Sequence, residues 1–160
     1  MNLSTRGRYA TRAMLELAQH YGEDAVSSEA ISRAQGISMR YLQQLLGTLK
    51  RSGLVRVTLG PGGGFALAAP PDQIRIGDVL DAVEGHFSLV ECVEDETLCP
   101  RAPNCLSRGL WVEASQILNR YFQSMSLADV LARHSPRPRR RGAPTPSRAR
   151  SRGARRNAGH

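Results

Sequence analysis

A mainly α-helical fold with one small β-hairpin is what this sequence predicts, on three observations. Two short, well-capped helical runs lie close together between Val26 and Ser52. A Gly-rich stretch then separates two β-prone runs, and a long helical pattern returns from Gly109 onward. Helix–turn–helix followed by a hairpin is a winged helix, so the predicted architecture is a winged helix-turn-helix with a long C-terminal helix.

The first helix is read from Arg6 to Tyr21. Tyr9, Ala10, Ala13, Met14, Leu17, Ala18 and Tyr21 recur at helical spacing, and Gly22 stops the run. Thr5, Arg6 and Arg8 at its start suit phosphate contact through a hydroxyl, guanidinium groups and helix N-terminal N–H groups; simple solvation is the alternative.

The second helix starts at Ser27 or Ser28, whose hydroxyls can accept from orphan N–H groups, and ends before Gly36, which enters the left-handed region without a Cβ penalty. Ser38 then caps a third run, Met39 to Ser52. Its Leu42, Leu45, Leu46 and Leu49 fall at i, i+3, i+4 and i+7, one face of a helix. Amides, a hydroxyl and cations occupy the rest of the surface. A helix with this division suits insertion into a DNA major groove, where amide and guanidinium groups meet base edges. The candidate contacts are Ser38, Arg40, Tyr41, Gln43, Gln44, Thr48 and Lys50.

Leu54 to Leu59 and Phe65 to Ala68 form the hairpin around Gly60-Pro61-Gly62-Gly63-Gly64. This loop is no nucleotide cradle. It lacks the G-K-[ST] ending of a phosphate loop, and Phe65 stands where the dinucleotide fingerprint wants Gly. Gly60, Pro61, Gly62, Gly63 and Gly64 are better read as a wing tip whose uncovered N–H groups approach a DNA backbone closely, against the alternative of a merely flexible hairpin.

Pro70-Pro71 closes this unit. Ile76, Val79, Leu80 and Val83 mark a short packing helix closed by Gly85. From Phe87 to Arg108 periodicity disappears, and Pro100, Pro103 and Asn104 suit a loop. Trp111, Ala114, Leu118, Tyr121 and Met125 then recur at 3,4,3,4 spacing, a seam that can bury against the chain's own core or against a partner subunit. Ser126, with Asp129 three residues on, starts a last helix to about Arg133. Residues 135–160 hold nine arginines, no acid and no large apolar side chain, which predicts disorder and salt-sensitive, non-specific DNA affinity; RNA, an acidic partner or a merely solubilising tail are the alternatives. The expected division is therefore 1–69, the DNA-binding unit; 70–134, a cysteine loop and long helix; and 135–160, an Arg-rich tail.

The net charge of +8 divides unevenly. Residues 1–68 hold eight Lys+Arg against four Asp+Glu, and residues 69–134 hold five against ten. Phosphate attraction on one half predicts this modest asymmetry, with ordinary surface variation as the alternative. No run approaches a membrane span and no signal-peptide core is visible. Three cysteines, an odd count, argue against a secreted disulfide framework, so a cytoplasmic location is expected. No Ser/His/Asp, paired-carboxylate or nucleotide-loop constellation appears, so no enzyme is expected.

The cysteines are Cys92, Cys99 and Cys105, separated by six and five residues. Thiolates are soft ligands for iron–sulfur clusters, Zn(II) or Cu(I). A structural zinc site wants four ligands and C-x2-4-C pairs, which are absent, and no His lies among or just after the cysteines. Three thiolates plus a weaker ligand better fit an exchangeable iron–sulfur cluster. A cluster-free thiol sensor, zinc or unrelated cysteines remain open.

Ile37-Ser38, Tyr41-Leu42, Leu45, Leu49, Gly53-Leu54-Val55 and Gly60-Pro61-Gly62-Gly63-Gly64-Phe65, together with the cysteine trio, resemble the IscR/NsrR-type family of bacterial winged-helix repressors over residues 1–134. The resemblance implies a homodimer paired through the C-terminal helix, bound to a near-palindromic duplex operator. It also implies a cluster, two-iron or four-iron, held by the three cysteines and sensing iron–sulfur status, nitric oxide or iron. Three departures stand out. The first cysteine interval is one residue longer than usual. Arg108 stands at a frequent His position, and Arg8 at the acidic ligand position of nitric-oxide-sensing members. The fourth ligand is thus open among Glu94, Asp95, Glu96, Asn104, water or a small thiol. Gln43 replaces a Glu found in some members, which changes the expected base preference from cytosine to adenine. The expected function is a sequence-specific transcriptional regulator, in the repressor mode; the alternatives are a thiol-based regulator and a non-specific nucleoid-type DNA-binding protein.

Overall fold

The structure, a computed structural model, describes residues 3–134; the expectation for 135–160 lies outside the described residues. Within them the chain is mainly helical with one two-stranded antiparallel sheet. The order is α1 (Thr5–Gln19), α2 (Ser28–Gln35), α3 (Met39–Arg51), β1 (Val55–Thr58), β2 (Gly64–Leu67), α4 (Ile76–Glu84), α5 (Glu91–Glu94), α6 (Leu106–Ser124) and α7 (Leu127–His134). Two 3-10 turns, Glu96–Leu98 and Ala102–Asn104, lie between α5 and α6.

Helix α1 begins where the Ser4 hydroxyl accepts from the N–H groups of Arg6 and Gly7, and it ends at Gln19. Tyr21, assigned to the apolar stripe by spacing, falls beyond it and is exposed. Ser27 caps α2 by accepting from the Ala30 N–H, and Gly36 closes it at φ 61°. In the turn that follows, Ile37 is buried, while the Ser32 hydroxyl donates to its carbonyl at 2.6 Å. Ser38 occupies the N-cap position of α3 without a side-chain capping bond, so the expected cap is positional only.

Leu42, Leu45, Leu46 and Leu49 are all buried, as their spacing predicts. They join Met14 and Leu17 of α1, Ile31 of α2, Val79 and Leu80 of α4, and Leu127 of α7 in one buried cluster. Burial of apolar area on this scale is the main term holding such a fold together.

The hairpin pairs Val55 with Leu67 through Thr58 with Gly64. A further bridge joins it to the segment before α2: the Val26 N–H donates to the Phe65 carbonyl at 2.9 Å, and the Phe65 N–H to the Val26 carbonyl at 2.8 Å. Helix α4 lies chiefly against α1, with Gly7 at the crossing beside Leu80 and Glu84.

Where the sequence suggests an irregular run from Phe87 to Arg108, the chain forms a turn of helix, α5, and two 3-10 turns, and α6 begins at Leu106 rather than Gly109. These pieces are too short to show a hydrophobic period. The predicted seam of α6 also divides. Ala114 and Leu118 are half-buried, Trp111 and Tyr121 are exposed, and Met125 is buried just past the helix end.

At the α6–α7 junction the Ile76 N–H donates to the Met125 carbonyl at 2.8 Å and the Leu127 N–H to the Ile74 carbonyl at 3.0 Å. Ser126 and Asp129 form the predicted capping box. The Asp129 carboxylate accepts from the Ser126 N–H at 3.0 Å, and the Ser126 hydroxyl accepts from the Asp129 N–H at 3.0 Å. The Ser126 backbone N–H, then its hydroxyl, hold the Asp129 carboxyl below its usual pKa. A group with a lowered folded-state pKa stabilises fully above its unfolded value and loses that contribution as pH falls through the folded one. Ser126→Ala, which removes the capping hydroxyl, is expected to lower stability at neutral pH. Urea unfolding at pH 7 and again below about pH 4 should show the difference between variant and wild type shrinking in acid.

Candidate nucleic-acid interface and cysteine loop

The surface of α3 opposite its leucines forms an open cleft of about 480 Å³ with the start of α1. Tyr41, Gln43, Gln44 and Thr48, four of the predicted contacts, line it, and Arg6 closes one side, bringing together groups from two separate helices. Ser38 and Arg40 border a smaller adjoining depression with Tyr41 and Gln44. Lys50 is exposed near the helix end and lines neither. Arg51, which sequence reasoning passed over, also lines the main cleft; its Nη2–H donates to the Thr48 hydroxyl at 3.0 Å, while that hydroxyl donates to the Gln44 carbonyl at 3.2 Å. The i, i+3 spacing of Thr48 and Arg51 was the available signal.

Tyr41 is fixed by an edge-on contact with Tyr9, ring centroids 5.9 Å apart, and Arg12 lies over the Tyr9 ring at 5.4 Å. Arg12 also donates to the Gln35 carbonyl and, at 3.1 Å, to its side-chain oxygen, tying α1 to α2. Arg8, in the first turn of α1, donates to the Thr5 hydroxyl at 3.1 Å and is exposed.

The wing tip turns at Gly60 and Gly62, with φ of 94° and 74°, a region that favours glycine. The Gly63 N–H donates to the Gly60 carbonyl at 2.9 Å. Gly63 and Gly64 lack side chains for a different reason. A Cβ on Gly63 would lie 2.3 Å from the Thr58 carbonyl oxygen, and one on Gly64 2.4 Å from that of Val26.

The three cysteines are half-buried thiols in the α5–α6 segment. Cys92 lies in α5, Cys99 follows the first 3-10 turn, and Cys105 is the N-cap residue of α6. The Ser107 hydroxyl, 3.3 Å from its sulfur, is the chief group holding the Cys105 thiol below its ordinary pKa; the Arg108 backbone N–H and the Arg101 charge add to this, and burial opposes it. Among the described residues no three His, Cys, Asp or Glu side chains are gathered closely enough to hold a metal ion. The donor set itself, three accessible thiols within fourteen residues, is chemically suited to a soft-metal centre once drawn together.

Arg108 does not stand idle. Its Nε–H donates to the Cys92 carbonyl at 3.1 Å and its Nη2 pairs with Glu96 at 2.7 Å. Asp95 accepts from the Thr97 N–H at 2.9 Å and from its hydroxyl at 2.6 Å. Two of the four side chains considered as a fourth ligand are thereby engaged, in contrast to Glu94 and Asn104. Sequence reasoning also missed Ser115 and Asn119, which hold the entrance of the segment onto α6. The Leu89 N–H donates to the Ser115 hydroxyl at 3.0 Å, and the Asn119 amide to the Phe87 carbonyl at 2.8 Å.

A helix–turn–helix with a polar outer face, beside a glycine-tipped hairpin pinned to it, defines a winged-helix DNA-binding protein. The chain matches the family model Rrf2, described as an iron-dependent transcriptional regulator, over residues 3–133. It is 41% identical over 131 residues to Protein rrf2 of Nitratidesulfovibrio vulgaris, spanning 82% of this chain and 87% of that protein. It is 38% identical over 131 residues to the HTH-type transcriptional regulator IscR of Aliivibrio salmonicida, spanning 82% and 77%. Among solved structures, T. potens IscR matches with a TM-score of 0.69 at 32% identity, over 83% of this chain and 88% of its own. CymR, the global cysteine regulator of B. subtilis, matches with a TM-score of 0.70 at 34% identity, over 83% and 98%. The chain belongs to the Rrf2 family of transcriptional regulators, DNA-binding proteins rather than enzymes. No described helix is long and apolar enough to cross a membrane.

Proposed function

We propose that this chain is a homodimeric, cytoplasmic transcriptional repressor whose DNA affinity is set by an iron–sulfur cluster on Cys92, Cys99 and Cys105. The observation that carries this reading is the placement of three accessible thiols in one short segment, ending at the N-cap of the long helix α6. The IscR relatives support it. Such a cluster supplies a labile, redox-active inorganic centre. Glu94, Asn104, water or a small thiol is left to complete its coordination.

Residues 1–69 act in this reading as the DNA-binding unit and 70–134 as the sensing and pairing region. The residues of α3, with Gln43 and Gln44 foremost, meet base edges in the major groove. Thr5, Arg6, Arg8 and the Gly60–Gly64 turn sit on the phosphate backbone, and half-sites lie about one helical turn apart. Leu106, Leu110, Trp111, Ile117 and Tyr121 leave α6 with an exposed apolar face, the area a second subunit would cover. From the cysteine segment, packing continues through α6 to α4, from α4 to α1 and from α1 to α3. Rearranging the segment thus biases the spacing of two recognition helices, a coupling between two sites.

Purification without oxygen, followed by a visible absorption spectrum and iron and sulfide assays, tests the cluster; a colourless protein free of both would sink it. A second reading, a cluster-free thiol regulator, is favoured by the lowered pKa of Cys105 and by the likeness to CymR. It predicts a colourless protein whose DNA affinity changes on thiol oxidation. Within either reading Gln43→Glu is expected to move base preference from adenine toward cytosine at one position per half-site, by about 1–3 kcal/mol, measured by competition between operator variants.

A further inference from the structure

The tip of this wing carries no charge. From Val57 to Ala69 there is no Asp, Glu, Lys or Arg. The nearest cation, Arg56, donates its Nε–H across the hairpin to the Leu67 carbonyl at 3.2 Å. What the wing presents is Leu59, 89% exposed and outside the core cluster. It directly precedes the Gly60–Gly63 turn and follows Thr58, the last residue of β1, which is paired with Gly64. Through the adjoining bridge of Phe65 to Val26, its support is anchored to the body of the fold.

A single exposed leucine is ordinary on a protein surface. Its position makes this one informative, because it is the large side chain at a wing tip that has no cation of its own to offer a phosphate, Arg56 lying three residues back along β1. We propose that Leu59 is a specificity-determining contact, an apolar side chain that seats in the DNA minor groove and selects sequence through deformability rather than charge. The inference rests on the reading that the wing lies on the duplex while α3 occupies the major groove.

The chemistry follows from what leucine gains and lacks. It gains by leaving water against deoxyribose walls and partly opened base steps, so it favours flexible pyrimidine–purine steps flanking the half-sites. It neutralises no phosphate and releases no counterion, so its contribution does not change with salt. An arginine at the same place would act in the opposite way on both counts.

The test uses the full chain and a duplex recovered by wild-type selection from a random pool. Affinity is measured against salt for wild type, Leu59→Ala, Leu59→Arg and Gln43→Ala, with sedimentation to follow oligomeric state. Leu59→Ala is expected to bind about tenfold more weakly, the scale of one leucine leaving water. Its salt slope should be unchanged, and its preference at the flanking steps relaxed. Leu59→Arg is expected to steepen the log–log salt slope by about 0.9. Wild-type affinity and flanking preference in Leu59→Ala would overturn the inference, as would a weakening explained by altered oligomeric state. Gln43→Ala separates the two levels. If it shifts the preferred bases while Leu59→Ala does nothing, only the leucine inference fails; if it leaves the selected sequence unchanged, the underlying reading of α3 fails with it.

Discussion

Replacing Gly64 with alanine is expected to lower stability by about 2–4 kcal/mol and to abolish most operator affinity with it. The added methyl would sit 2.4 Å from the Val26 carbonyl oxygen, 2.6 Å from its carbon and 2.9 Å from the Ser27 nitrogen. All three are backbone atoms, so no rotamer change relieves the collision. The strand must move away, and the two hydrogen bonds between Val26 and Phe65 go with it, each worth about 1 kcal/mol net. Gly62→Ala provides the comparison. Its Cβ meets nothing within 4 Å, so only the left-handed φ of 74° opposes it, at about 1–2 kcal/mol. Chemical denaturation should separate the two variants, and equal losses would mean that the Val26 bridge does not govern the wing.

The second large effect is expected at Cys92. Cys92→Ala should lose the visible absorption, iron and sulfide of anaerobically prepared protein, and its operator affinity should no longer respond to oxidation. The substitution is well suited to the purpose because Arg108 is held by the Cys92 carbonyl, a backbone group that alanine keeps. The thiol is removed while the architecture of the segment stays. The thiol is half-buried, so the unfolding free energy should change by less than about 1 kcal/mol. Operator affinity that responds to oxidation as in wild type would remove the sensing role of this thiol.

The elements legible in the sequence are those whose signal is local. Four leucines at one helical period define the inner face of α3, and serine and glycine mark the ends of α2, because caps and periodicity act within a turn or two. Ser126 and Asp129 are legible for the same reason. The hidden features depend on distant partners. The tightness at Gly64 comes from Val26, far back in the chain, so five neighbouring loop positions could not be sorted into flexible and crowded ones. The bond from Arg108 to Cys92 spans sixteen residues, and its pairing with Glu96 is equally invisible to spacing rules. The seam of α6 was legible as apolar but not as divided, since which of Trp111, Ala114, Leu118 and Tyr121 faces α4 is decided by the crossing of two helices. At the proposed DNA-binding surface, residue type points to α3, whereas the approach of Arg6 and Arg51 to one cleft requires the assembled fold.

Ser115, Asn119 and Arg108 together fasten the cysteine segment to α6 at its entrance and again past its last thiol. The intervening residues therefore form a closed ring rather than a free tether. Much of the chain entropy that gathering three distant thiols would otherwise oppose has been removed during folding. Whatever species draws those sulfurs together acts on a ring of restricted reach, and strain that its walls cannot absorb is delivered to the first turn of α6.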